Sequence, residues 1–247
     1  MNGSSPVRAA SRLGATISFP DHPEFRPNLT PAELFTLGSF GGGYFHPIHS
    51  RVTGLDYANE WKEFPSTWWA EMQGGPERWV AQPKYNVKMN RYRVDCGAKL
   101  SKSDTFGLDY WESKDWIVAQ DPYGWVQWYC RFYMGRRSED DERQISRWAG
   151  VAGVNGRFRS QLVGKIMAAR ASFDDETVSP VVRQVLQHWA YQLTEEDFVE
   201  GRAARIGKLT PAVEPAATAK TVKKRASSDS SNSPDLVPKR KPKKAKE

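Results

Sequence analysis

Apolar side chains recur at helical spacing through the second half of the chain. Over residues 122–134 the aromatic side chains fall three and four positions apart, on one helical face. They are Trp125, Trp128, Tyr129 and Phe132. Asp121 precedes this run as a candidate cap and Gly135 ends it. The same spacing predicts further helices that begin at Ser138, Arg157, Ser179 and Thr194.

The first half has weaker periodicity. Thr30-Pro31-Ala32-Glu33 has the pattern of a capping box with proline at the first helical position, which predicts a short helix ending at Gly38. A second helix is predicted over 108–116, and residues 51–102 have no dominant period. Residues 1–28 are polar and interrupted by four prolines, and we expect them to form a flexible arm.

These elements predict a mainly α fold with one helical domain over residues 29–207, whose N-terminal half is irregular. The ten tryptophans lie between positions 61 and 189 without a gap long enough for a linker, so one continuous core is expected. After Gly207 the chain has no aromatic residue. Residues 208–247 are therefore predicted to be a disordered tail, because they have too little apolar surface to offset the entropy of ordering.

The net charge of +7 is concentrated in the tail. Residues 201–247 carry thirteen basic and four acidic side chains, leaving twenty-three basic and twenty-five acidic ones in residues 1–200. The helical domain thus lacks the bulk positive charge on which non-specific duplex binding depends. A nucleic-acid site in the domain would have to be a local patch.

Two basic clusters in the tail are spaced as in a two-part nuclear-import signal, which predicts a nuclear protein recognised by an import receptor. The clusters are Lys223, Lys224, Arg225 and Lys239, Arg240, Lys241, Lys243, Lys244, Lys246. A purely phosphate-binding arm remains the alternative. Ser227 follows a basic cluster and Ser233 precedes a proline, so both are candidate phosphorylation sites; a plain serine-rich spacer explains them equally well.

The segment 121–148 combines an aromatic helix with several arginines, and two more arginines flank Phe158. Guanidinium groups beside aromatic rings are suited to phosphates, nucleotides or single-stranded nucleic acid. The candidate anion-binding residues are Arg131, Arg136, Arg137, Arg143, Arg147, Arg157 and Arg159. Helix-dipole preferences explain part of this charge pattern without any ligand. Arg131, Arg157 and Arg159 are the members that they do not explain, and we expect these three to converge.

The glycine-dense run 38–45 would let the backbone approach a phosphate, although a tight turn between aromatic residues explains it better. Tyr44 and Phe45 at its edge, with Tyr123, are the candidates for stacking on a base. Two cysteines and a proline-interrupted HxxH do not form a recognisable metal motif, so no metal site and no cofactor are predicted. No apolar run is long enough to span a bilayer, so no membrane partner is expected.

Six strings resemble a family of small aromatic-rich proteins from fungi, algae and large DNA viruses. They are LGSFGGGYFHPI, YWESKDWI, DPYGWVQWYCRFYMGRR, RQISRW, GRFRSQL and the spaced pattern SP-RQ-LQHW at 179–189. The similarity covers about residues 30–193. The family has no established activity, so the resemblance implies a folded unit with a boundary near 193 and assigns no site residue.

These observations favour a nuclear accessory protein whose helical domain binds a phosphate-bearing partner, most plausibly nucleic acid or a nucleotide. One alternative is an enzyme acting on a phosphorylated or carboxylated small molecule, with arginines as clamps. The other is a protein-interaction domain whose aromatic residues all belong to the core. A deep pocket with converging carboxylates would favour the enzyme, and an open groove would favour nucleic-acid binding. Scattered arginines would favour the protein-interaction domain.

Overall fold

The computed structural model describes residues 3–8, 12–96 and 107–209. Within these ranges the chain is mainly helical, as the hydrophobic pattern predicts. Its α-helices are α1 (Pro31–Thr36), α2 (Gly75–Trp79), α3 (Leu108–Glu112), α4 (Trp125–Tyr133), α5 (Asp141–Ala152), α6 (Arg157–Ala169), α7 (Pro180–His188) and α8 (Glu195–Leu209).

The first half has short strands and turns rather than long helices. Strands β1 (Val7–Arg8) and β2 (Ile17–Ser18) pair antiparallel, as do β3 (Ile48–Ser50) and β4 (Leu55–Tyr57). Short 3-10 helices lie between them and the second half, at Ser39–Gly42, Glu60–Glu63, Ser66–Trp68 and Val87–Met89. The predicted irregular character of this half is confirmed.

Helix α4 lies at the centre of the hydrophobic core. Trp128, Tyr129 and Phe132 on this helix are fully buried. The Trp128 indole Nε1 donates to Asp141 Oδ1 at 2.8 Å, and the Tyr129 hydroxyl donates to the Leu29 carbonyl at 2.7 Å. Each polar group on these large rings thus has a partner, as burial requires.

The N-terminal segment differs from the flexible arm expected for residues 1–28. Phe19 and Phe25 are fully buried. Phe25 packs edge-on against Trp148 with ring centroids 5.2 Å apart, and Phe19 packs against Phe132 at 4.9 Å. The prediction of a flexible arm is therefore wrong for the described part of this segment. The burial of two aromatic side chains attaches it to the core, and the prolines alone do not make it flexible.

Local capping signals have two different outcomes. The capping box before α1 is confirmed, since Glu33 N–H donates to Thr30 Oγ1 at 3.2 Å and Thr30 N–H donates to Glu33 Oε2 at 2.8 Å. Asp121 does not cap α4, which begins at Trp125 after Gly124. Its carboxylate instead accepts hydrogen bonds from two arginines, described below.

The chain divides by its contacts into two units, residues 1–210 and 211–247. All the elements above belong to the first unit. Lys208 and Leu209, predicted as the start of the tail, belong to the end of α8. The rest of the predicted tail, including the import clusters, Ser227 and Ser233, lies outside the described residues. None of the described helices is long and apolar enough to cross a membrane.

Candidate functional site

Asp121 is fully buried and holds two of the candidate arginines. Arg131 Nη1 donates to Asp121 Oδ1 at 2.9 Å, and Arg136 Nη2 donates to Asp121 Oδ2 at 2.6 Å. Arg131 also makes a bidentate pair with Glu63, with Nη2 2.8 Å from Oε2. A buried carboxylate requires such partners, because an uncompensated charge inside a protein is strongly unfavourable. Both guanidinium groups are therefore used within the fold.

Three further candidate arginines are also paired with carboxylates. Arg137 donates to Asp21 at 2.7 Å, Arg143 pairs with Asp140, and Arg159 pairs with Asp197 at 2.8 Å. The Arg137 guanidinium also lies 3.8 Å from the centroid of the Phe132 ring. The hydrogen bond from Arg137 lowers the pKa of the Asp21 carboxyl to about 2. These charges hold segments of the chain together.

The expected convergence of Arg131, Arg157 and Arg159 has no support in these contacts. Arg131 is engaged by Glu63 and Asp121, whereas Arg159 is engaged by Asp197 and Glu200. Arg157 is exposed, and its guanidinium lies 4.5 Å from the centroid of the Phe158 ring. The arginines of the two helices are thus held by different acids.

Arg147 differs from the other candidates that are half-buried or buried. Its guanidinium lies over the rings of Trp116 and Trp189, 5.4 and 5.5 Å from their centroids. Nη1 donates to Gln144 Oε1 at 3.0 Å, and among the described residues no carboxylate forms an ion pair with it. Burial, followed by the charge of Arg143, lowers the pKa of Arg147. This cation is partly desolvated. Within the described residues it forms no ion pair, and the charge of Asp140 only partly opposes the lowering of its pKa.

Arg147 forms part of the wall of a cavity of about 240 Å³. An engineered apolar cavity of roughly 150 Å³ is large enough for benzene, so this one has room for a larger planar body. Most of its lining is aromatic. The lining residues are Phe40, Tyr44, Tyr85, Cys96, Gly107, Tyr110, Trp111, Trp116, Ile117, Trp125, Arg147, Val185, His188 and Trp189.

The glycine-dense turn supplies one wall of this cavity. Gly38 has a φ of 73°, and a Cβ there would lie 1.7 Å from the carbonyl oxygen of Met89. Only glycine permits that close approach. The turn's amides are already used: Gly41 N–H donates to Asn90 Oδ1 at 3.0 Å, and Phe40 N–H donates to His188. The turn therefore positions Phe40 and does not form an open phosphate cradle.

His188 is half-buried by accessible surface and is one of the residues that line the cavity. Its Nε2 is 3.1 Å from the backbone nitrogen of Phe40 and 3.1 Å from Gln184 Nε2. Since a backbone N–H can only donate, Nε2 is the unprotonated nitrogen and Nδ1 carries the proton. The Phe40 ring stacks on the imidazole with centroids 4.0 Å apart. Burial lowers the pKa of His188 to about 3, so the ring is neutral.

Cys96 lines the cavity together with His188, and its Sγ lies 3.5 Å from His188 Nδ1. Burial raises the pKa of this thiol to about 11. The two side chains therefore form a neutral thiol–imidazole pair. A nucleophilic cysteine requires a thiolate stabilised by a nearby cation or base, and the protonated Nδ1 facing the sulfur cannot accept the thiol proton.

The three predicted stacking residues have different positions. Tyr44 lines the cavity, but its hydroxyl is used internally, donating to the Tyr123 carbonyl and accepting from Val126 N–H. Phe45 is fully buried and Tyr123 nearly so. The Tyr123 hydroxyl donates to the His46 carbonyl at 2.9 Å. Phe45 and Tyr123 are core residues, which corrects their assignment as stacking surfaces.

Sequence reasoning missed Trp116, Trp189, Cys96 and His188 as a group. Trp116 is 39% exposed, which is high for so large an apolar ring beside a cavity, and no local pattern marks it as exposed.

Within residues 3–8, 12–96 and 107–209, no group of three or more histidine, cysteine or acidic side chains is placed to hold a metal ion. No family model, curated protein or solved structure matches this chain.

Proposed function

We propose that this is a nuclear protein with one helical domain, which binds a nucleotide or a base of single-stranded nucleic acid in the aromatic cavity. The observation that carries the proposal is Arg147, a half-buried cation over the rings of Trp116 and Trp189 that forms no ion pair with a described carboxylate. A phosphate is an anion that a guanidinium group binds well, through two parallel hydrogen bonds. The tail's basic clusters would direct the protein to the nucleus.

The aromatic walls favour a flat ligand. Trp111, Trp116 and Tyr110 line the cavity. Trp125 and Trp189 line it as well and pack directly on each other, with ring centroids 4.7 Å apart. Base–aromatic stacking contributes about 1–3 kcal/mol per base. The cavity volume of about 240 Å³ exceeds what a single six-membered ring needs, which suits a purine as well as a pyrimidine.

A cationic ligand fits this cavity less well. Aromatic cages also bind methylated ammonium groups through the negative faces of the rings. Here Arg147 already makes cation–π contacts with Trp116 and Trp189, and a second cation would be repelled. No Asp or Glu is among the described lining residues, so no described carboxylate at the cavity wall compensates the positive charge. The lining therefore favours an anion.

The Cys96–His188 pair is the one observation that favours the enzyme alternative. An enzyme using it would need either a thiolate or an imidazole free to accept a proton. The raised pKa of Cys96 and the lowered pKa of His188 oppose both, as does the hydrogen bond from Phe40 N–H to Nε2. Binding without chemistry is the function that the cavity supports best.

The test is a binding titration of the full chain with inosine monophosphate and inosine, followed by tryptophan fluorescence. Arg147→Gln removes the charge, and Arg157→Gln is the matched control on an exposed helical arginine. We expect Arg147→Gln to weaken nucleotide binding more than tenfold, about 1.4 kcal/mol, and to change nucleoside binding little. Affinity for the nucleotide should also fall as salt rises.

Two results would refute the proposal. One is the absence of quenching and of saturation at low salt by either ligand. The other is an equal loss of nucleotide affinity in Arg147→Gln and in Arg157→Gln, which would show only the general attraction of a basic chain for phosphate. Circular dichroism of both variants verifies that neither has unfolded.

A further inference from the structure

The hydrogen-bonding groups around the cavity are mainly donors. Arg147 can only donate. His188 presents Nδ1–H, because Nε2 accepts from Phe40 N–H and Gln184. The Tyr44 hydroxyl is already used on both sides. No carboxylate or amide side chain is among the described lining residues. The acceptors left among the described side chains are the hydroxyls of Tyr85 and Tyr110, and that of Tyr85 already accepts from Asn90 Nδ2.

The hydrogen bond that His188 Nδ1–H makes with Cys96 is a weak one. Cys96 Sγ lies 3.5 Å away, and a thiol sulfur is a weak acceptor. A carbonyl oxygen is a much stronger acceptor, and the imidazole cannot rotate to offer its other nitrogen without breaking the bond to Phe40 N–H. The stacked Phe40 ring, 4.0 Å from the imidazole, further restricts rotation.

We infer that His188 Nδ1–H is the specificity-determining donor of the cavity and selects bases that present a carbonyl oxygen over bases that present an amino group. This inference rests on the proposed function. Hypoxanthine, guanine and uracil have such a carbonyl at the edge where adenine and cytosine have an amine. An amino group at that place would meet Nδ1–H donor to donor and leave buried polar groups unpaired, which is costly.

The experiment compares two pairs of nucleotides that differ at that edge. One pair is inosine monophosphate and adenosine monophosphate, and the other is uridine monophosphate and cytidine monophosphate. The wild-type full chain is expected to bind the carbonyl member of each pair at least tenfold more tightly. In His188→Gln the terminal amide oxygen can take the place of Nε2 toward Phe40 N–H, while the Nδ1 donor is lost. The preference is expected to fall to less than threefold in this variant.

His49→Gln is the matched control, because His49 is an exposed histidine paired with Asp56. It should keep the wild-type preference. A second measurement needs no substitution: in ¹H–¹⁵N spectra of the wild-type chain, the His188 Nδ1–H signal should shift on adding inosine monophosphate and much less with adenosine monophosphate. That signal tests the inference even where His188→Gln is too unstable to titrate.

The outcomes separate the inference from the proposed function. Tight binding of all four nucleotides without preference overturns the inference and leaves the binding function intact. A preference that His188→Gln retains overturns it as well, since another group must then select the base. Absence of binding by all four nucleotides overturns both.

Discussion

The buried neutral state of His188 predicts a measurable pH dependence of stability. In the unfolded chain the imidazole has its ordinary pKa of 6.5, whereas in the folded protein burial lowers the pKa to about 3. Between these values the unfolded state binds the proton and the folded state does not. The stabilising contribution of the neutral ring is therefore complete above pH 6.5, and it is lost as the pH falls toward 3.

The size of this effect follows from the two pKa values. One unit of pKa difference corresponds to about 1.36 kcal/mol. Between pH 7 and pH 5 the unfolded chain gains most of the proton while folded His188 stays neutral, so the free energy of unfolding falls by about 2 kcal/mol. For a domain of roughly 150–250 residues this lowers Tm by about 4–8 °C.

The assay is urea unfolding at pH 5, 6 and 7 for the wild type, His188→Gln and His49→Gln. Burial also lowers the pKa of His46, so part of the wild-type slope belongs to that residue. The difference between wild type and His188→Gln isolates the His188 contribution. In the wild type the free energy of unfolding should fall between pH 7 and pH 5, and in His188→Gln this fall should be smaller by about 2 kcal/mol. In His49→Gln the fall should be as large as in the wild type.

An unchanged slope in His188→Gln would refute this reasoning, because it would mean that His188 is protonated as readily in the folded protein as in the unfolded chain. A loss of stability of equal size at all three pH values would not refute it, because the buried Gln amide can destabilise the folded protein without changing its proton uptake. The slope, and not the absolute free energy, is the quantity that decides.

Two other predictions concern the charges of the chain. Asp121→Asn should cost about 3–5 kcal/mol, because it leaves two arginines without their buried carboxylate; Asp56→Asn, at an exposed ion pair, should stay within about 0.5 kcal/mol. Comparable unfolding midpoints for the two variants would contradict the structural importance of Asp121. Alanine at all the basic residues of the second tail cluster should abolish nuclear enrichment of a fusion too large for passive diffusion. Unchanged enrichment would remove that cluster as the import determinant. The residues to change are Lys239, Arg240, Lys241, Lys243, Lys244 and Lys246.

Helix positions were largely predictable from the sequence, because capping and amphipathic spacing act over a few residues. The predicted helix from Arg157 is confirmed as α6 and that from Ser179 as α7. The capping box at Thr30 also has both of its hydrogen bonds. Element boundaries were less accurate where a residue has a distant partner. Asp121 has the composition of a cap, yet its carboxylate pairs with Arg131 and Arg136.

The sequence by itself determined the helical class of the protein, its aromatic content and the uneven distribution of its charge. Which arginines have counter-ions was decided only by tertiary structure, since Arg137 meets Asp21 across 116 positions and Arg131 meets Glu63 across 68. The cavity likewise combines Phe40, Trp116 and His188 from separate segments. Such contacts depend on how helices and loops pack in space, which local periodicity does not encode.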